Sequence, residues 1–138
     1  MRSFLTPLLK GNPEGLVLRN QRTGTVVASQ LLPAFDSDTR RTGLLKHSGL
    51  PDGAAMFIAP TNAIHTFFMK FPIDVAFVAK DGRVVKIRAA MPAWRMAAAW
   101  GGYAVIEMAA GSFEYAGTVV GDVLTIDPGE RCELRGQV

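Results

Sequence analysis

Apolar residues along the chain fall into short runs separated by glycine, proline and small polar residues, a spacing that predicts brief strands joined by turns. Two such runs, GLVLRN and TVVASQLL between Gly15 and Leu32, flank a loop holding Asn20, Gln21, Arg22 and Thr23, with Gly24 between the runs, and predict a first hairpin. Between Phe35 and Leu45, Asp36 or Ser37 can cap a short helix that Gly43 ends. Pro51, Asp52 and Gly53 then mark a turn into a short strand from Met56 to Ala59, which Pro60, Thr61 and Asn62 stop.

The clearest hairpin lies between Ile73 and Ala90, where Asp81-Gly82 is a favoured two-residue turn flanked by β-forming residues. That turn would pair Val78 with Val85, Ala76 with Ile87 and Asp74 with Ala89. One face of the ribbon would then carry Asp74, Ala76, Val78, Val85, Ile87 and Ala89, with Asp74 its only charge. The other face, with Val75, Phe77, Ala79, Val84, Lys86 and Arg88, reads as half solvated. Ala93 to Gly102 reads as an irregular connection, Tyr103 to Ala109 as a strand, Ser112 as the cap of one helical turn ended by Gly117, and Val123 to Ile126 as a last strand before a tail. The whole predicts a mainly β chain: an antiparallel β-sandwich or partly closed barrel with one or two short helices, in a single domain over 1–138.

Composition narrows the class. Of 138 residues, 49% are apolar and 20% charged, a globular balance, and 15 Lys and Arg against 12 Asp and Glu leave a net charge of +3. The basic residues are scattered along the sequence rather than interleaved with aromatics, so no nucleic-acid partner is expected. Cys132 stands alone and cannot close an intrachain disulfide. The start from Met1 to Lys10 is interrupted by Pro7, and the longest apolar run, Ala54 to Ala59, is far short of the roughly 20 residues of a membrane span. A cytoplasmic location is expected. Phosphate-loop and dinucleotide patterns are absent, as is a G-x-S-x-G elbow, and a Cys/His dyad would have to recruit Cys132 from the tail. With His47 and His65 the only histidines, a structural zinc site cannot be assembled, and no cofactor or metal is expected, although His65, Asp74 and Glu107 leave a weaker hard-metal site open.

The candidate chemistry centres on Asp74. As a structural group it would accept backbone N–H groups or pair with Arg41; as a functional one it would work beside His65 as a base or ligand-binding group. His65 reads as a loop anchor or as a catalyst, Thr66 as a turn residue or pocket wall, and Glu107 as half of an ion pair or part of the same polar cluster. Arg40 and Arg41 suit a solvated helix end or an anion site. Phe68 and Met69 read as core. Trp94 and Trp100 are expected to cover core, and would become a partner-binding patch if both were exposed.

From about Arg40 to Ile126 the chain resembles the DUF192 (UPF0127) family. The resemblance is carried by Arg41-Thr42-Gly43-Leu44-Leu45, Ala55-Met56-Phe57-Ile58, Ile64-His65-Thr66-Phe67-Phe68-Met69 and Phe71-Pro72-Ile73-Asp74-Val75-Ala76-Phe77-Val78. It continues through Asp81-Gly82-Arg83-Val84-Val85, Val105-Ile106-Glu107-Met108-Ala109-Ala110-Gly111 and Gly121-Asp122. It implies a compact β-rich fold and supplies no activity. Many members carry a Trp-Met-Lys-Asn-like run where this IHTFFM variant has Phe68-Met69-Lys70-Phe71, and the export or lipid anchoring of many members is not carried over. The resulting expectation is a small binding or accessory module whose polar pocket gathers His65, Thr66, Asp74, Glu107 and Arg41 for a small molecule or partner. The alternatives are a metal-assisted or general acid/base hydrolase using His65 and Asp74, and an interaction subunit using the Trp94 to Trp100 loop.

Overall fold

The computed structural model describes residues 3–35, 49–67 and 69–129. In chain order these form α1 (Thr6–Leu9), β1 (Leu16–Asn20), β2 (Val26–Ala28), β3 (Gln30–Pro33), β4 (Ala54–Ile58), β5 (Ala63–His65), β6 (Ile73–Val78), β7 (Val84–Met91), β8 (Met96–Ala98), β9 (Ala104–Ala109), α2 (Ser112–Ala116) and β10 (Leu124–Pro128). The chain is mainly β, and among the described residues no sheet closes into a barrel. The helix expected between Phe35 and Leu45 lies almost wholly outside the described residues, as do Arg40, Arg41, His47, Phe68, Cys132 and the tail.

The strands stack in layers. A five-stranded sheet, β3-β4-β9-β6-β7, has a three-stranded sheet, β10-β1-β2, on one side and the two-stranded β5-β8 ribbon on the other. The first core lies between the two larger sheets and contains Leu18, Val27, Leu31, Phe57, Ala76, Val78, Ile106 and Leu124, closed by Leu5 and Leu8 of the α1 segment and by Phe113 of α2. The second core contains Met56, Ile58, Met69, Ile73, Val75, Phe77 and Val105 and is covered by Ile64 and Ala97, the inward residues of the ribbon. This second layer corrects the half-solvated reading of β6: all six of its residues are buried, because apolar side chains on both faces find a covering layer.

Two further expectations change. The run TVVASQLL is divided between sheets: β2 pairs antiparallel with β1, whereas β3 crosses to run parallel to β4. The hairpin after Ile73 is present, but its loop has three residues. Ala79 N–H donates to Arg83 O at 2.8 Å and Gly82 N–H to Ala79 O at 2.9 Å, with Gly82 at φ +97°, the geometry of a tight turn followed by a left-handed residue. Val78 therefore pairs with Val84, and an extra residue at Val85 restores the expected alignment of Phe77 with Lys86 and Ala76 with Ile87. Val84 consequently faces the first core and Val85 the second, the reverse of the two-residue-turn expectation. The connection from Ala93 to Gly102 also contains a strand, β8, paired antiparallel with β5.

Candidate binding surface

Asp74 sits beside a second irregularity in the same hairpin. Pairing steps from Val75–Arg88 to Ile73–Met91, so Ala89 and Ala90 both oppose Asp74, and Ala90 takes the left-handed φ of +47°. The Ala90 N–H turned out of the ladder donates to Asp74 Oδ1 at 2.8 Å. Asp74 Oδ2 accepts the N–H of Phe113, at the start of α2, at 3.1 Å. That helix begins after Gly111 without a side-chain cap of its own, and Ser112, expected as the cap, instead donates its hydroxyl to Ala109 O at 2.6 Å. Asp74 thus supplies from another strand the acceptor that a helix start ordinarily takes from its own capping residue. With 1% of its surface exposed, the carboxylate belongs to the first core.

His65 lies on the opposite side of the five-stranded sheet. In the ribbon, Ile64 and Ala97 point inward while His65 and its cross-strand partner Met96 are exposed. His65 and Asp74 are therefore separated by the sheet, and the single pocket expected to unite them is not formed. The physical reason is strand alternation: Asp74 shares its face with Ala76 and Val78, whereas the ribbon packs on Val75 and Phe77. Glu107 is fully buried between its strand neighbours Met56 and Val75. Alternating with Ile106 and Met108 of the first core, it faces the ribbon side. Arg41 lies outside the described residues.

Thr66 is buried and joins the two connections at the end of the ribbon. Its Oγ1 donates to Pro92 O at 2.6 Å and accepts Arg95 N–H at 2.9 Å. Its own N–H donates to Arg95 O at 2.8 Å, and its carbonyl accepts Trp94 N–H at 3.0 Å and Met69 N–H at 3.2 Å. This knot holds Trp94 at φ +65° and brings three rings into register. The His65 and Phe67 centroids lie 4.6 Å apart at 30°, and those of Phe67 and Trp94 5.6 Å apart at 25°. Phe67 N–H also donates to His65 Nδ1 at 3.3 Å. Trp94 is 56% exposed, Met96 69% and Trp100 97%, so the two tryptophans expected to cover core do not.

A polar cluster that sequence reasoning missed lies at the far end of the three-stranded sheet. Buried Asp122 accepts Arg22 Nε at 2.6 Å, Asn20 Nδ2 at 2.8 Å and Val119 N–H at 2.9 Å, and Arg22 also reaches Gly117 O at 2.8 Å. The Arg22 hydrogen bond, aided by those from Val119 and Asn20, holds the Asp122 carboxyl well below the usual carboxylate range against the opposing effect of burial. The available signal was an acid after Gly121 together with Asn20 and Arg22 in the first hairpin loop. Separately, a cleft of about 880 Å³ lies between β2 and α2, with Val26, Ser29, Asp52, Ser112 and Tyr115 in its wall. His65, Thr66, Asp74 and Glu107 are not part of that wall.

The layered sheets and the capped ribbon define a small β-rich module. The chain belongs to the DUF192 family, described as an uncharacterized ACR, whose model matches residues 18–126. No curated protein matches it. Among solved structures, it is similar to a provisionally assigned transcription regulator from Sinorhizobium meliloti 1021, with 20% identity and a TM-score of 0.67 over 79% of this chain and 89% of that one. It is also similar to a protein of unknown function from Novosphingobium aromaticivorans DSM 12444, with 24% identity and a TM-score of 0.64 over 79% of this chain and 81% of that one. At these identities the likeness shows the fold. No helix among the described residues is long and apolar enough to cross a membrane.

Proposed function

We propose that the chain is a noncatalytic interaction module that engages a partner protein through the outer face of the β5-β8 ribbon. The observation that carries this reading is the His65–Phe67–Trp94 ring ladder, pinned by Thr66, in which His65 and Trp94 are exposed beside Met96. Aromatic and methionine side chains are enriched in interface cores, and holding them in place beforehand lowers the entropy cost of association. Asp74 and Thr66, which the sequence also offers for chemistry, direct their hydrogen bonds to the backbone of this chain. That use favours a scaffold over a general acid/base centre.

The test places a photo-crosslinking amino acid at position 94, and in a second preparation at the exposed position 115 on α2, in cells expressing the full chain. The expected result is one protein captured from position 94 and not from 115, which then binds the purified chain and loses about tenfold or more in affinity with Trp94→Ala. Capture from position 115 alone, or affinity unchanged by Trp94→Ala, would overturn the reading.

A further inference from the structure

Charge on the ribbon side narrows what the surface can take. Between Gly53 and Tyr103 the sequence holds six basic residues, Lys70, Lys80, Arg83, Lys86, Arg88 and Arg95, and two acids, Asp74 and Asp81. Asp74 is buried on the far side of the sheet. Asp81, which accepts Arg83 N–H at 3.0 Å, lies in the hairpin loop together with Lys80 and Arg83 beside the three-stranded sheet, which leaves Lys70, Lys86, Arg88 and Arg95 of these residues for the ribbon side. Lys86 and Arg88 pair across β6 with Phe77 and Val75, whose side chains enter the second core, so both project from β7 toward the ribbon. Lys86 reaches it: Nζ donates to Ala98 O at 2.8 Å and lies 5.9 Å from the Phe77 ring centroid. Arg95 stands exposed between Trp94 and Met96, and Lys70 is exposed next to Met69, whose N–H Thr66 holds. Among the described residues Glu107 also faces this side, and it is fully buried. Residues scattered along the sequence are thus gathered by the fold into a basic rim around an apolar centre.

Building on the interaction reading above, we infer that the ribbon's partner is an acidic protein segment, whose apolar side chains pack on Trp94 and Met96 while its carboxylates meet Arg95, Lys70 and Arg88. Aromatic and basic residues together also suit single-stranded nucleic acid, but that mode needs ring faces on which successive bases can stack. Here the His65, Phe67 and Trp94 rings stack on one another, at 4.6 and 5.6 Å, rather than standing apart as separate platforms for successive bases. An exposed tryptophan and methionine suit aliphatic and aromatic side chains, and the guanidinium of Arg95 suits a carboxylate in a two-point contact.

The experiment uses the full chain labelled with ¹⁵N and three probes: a short peptide of Glu, Asp, Leu and Phe; the same peptide with Lys and Arg replacing the acids; and an oligothymidylate. The acidic peptide is expected to shift the amides of residues 63–67 and 94–98, to bind about tenfold more weakly in high salt, and to lose about tenfold in affinity with Arg95→Glu. Arg95→Glu changes an exposed side chain, and an otherwise unaltered amide spectrum checks that the fold is kept. Equal binding of the acidic and basic peptides at the ribbon would overturn the inference while leaving the interaction reading intact. Tighter binding of the oligothymidylate would overturn it in favour of nucleic acid. Shifts confined to other parts of the chain, or none with any probe, would overturn the inference and count against the ribbon as the docking face.

Discussion

The Asp74 carboxylate accepts the Phe113 amide at 3.1 Å, so a residue of β6 starts a helix 39 positions away. Its second oxygen takes the N–H that the bulge at Ala90 turns out of the ladder. One buried carboxylate therefore satisfies two backbone donors that the local chain leaves without an acceptor. Asp74→Asn replaces one accepting oxygen by a donor amide facing an N–H, and the expected loss is about 1–3 kcal/mol of folding stability. Chemical denaturation of the two proteins measures it. Unchanged stability would return Asp74 to the list of functional candidates.

Thr66 offers a conservative probe of the ribbon. Thr66→Val keeps the shape and removes the hydroxyl that bridges Pro92 O and Arg95 N–H, so that two hydrogen bonds are lost at once. A loss of about 1–3 kcal/mol is expected. The specific readout is near-ultraviolet circular dichroism, where the aromatic signal should weaken as Trp94 leaves its place on Phe67. A full aromatic signal in the variant would show that the ladder stands without the knot.

Asp122 predicts a pH dependence. Its folded pKa lies below its ordinary value of 3.8, so its contribution to stability is complete above that value and is lost as the pH falls from there toward the folded value. Arg22 is held charged even more firmly than usual and adds no slope in this range. Asp122→Asn should cost about 1–3 kcal/mol at neutral pH through the buried bonds to Asn20 and Val119, with a reduced return from the half-exposed Arg22. Below pH 4 the stabilities of the two proteins should converge. Parallel denaturation curves at all pH values would contradict this.

Gly82 joins the hairpin tip to the other sheet. It adopts φ +97°, and a Cβ there would overlap the Leu124 carbonyl oxygen, while Leu124 N–H donates to Gly82 O at 2.8 Å. Gly82→Ala should therefore cost on the order of 2 kcal/mol or more, since both the dihedral and the contact must yield. Thermal unfolding compared with Gly101→Ala, where φ is +79° but a Cβ would meet nothing, separates the steric part from the conformational part.

Much of this fold is legible in the sequence because strands announce themselves by local alternation and turns by their glycines. β1, β4, β6, β7, β9 and β10 all fall in runs that predict them. The failures arise where a distant contact decides. Met96 to Ala98 contains helix-favouring alanines and is drawn into a strand by pairing with Ala63 to His65. The burial of Val75 and Phe77 depends on that same ribbon, which no period-2 pattern in β6 can reveal. A one-residue difference in loop length exchanges the faces of Val84 and Val85. Asp74 is conspicuous in the sequence as a charge on an apolar face, but its partner Phe113 belongs to a helix whose docking only the fold provides. His65 was expected to meet Asp74; strand alternation puts the sheet between them. The exposed aromatics are readable as residues, yet their grouping with Arg95, Arg88 and Lys70 exists only once three connections are folded together.

The most direct test of this division between a structural carboxylate and a binding ribbon is to measure affinity for the position-94 crosslinked partner in two proteins, Trp94→Ala/Met96→Ala and Asp74→Asn, at a temperature where both are folded. The account predicts that the ribbon double variant loses binding while unfolding at nearly the wild-type temperature, and that Asp74→Asn binds normally while unfolding at a lower one. Loss of binding in Asp74→Asn with full affinity in the ribbon variant would contradict it.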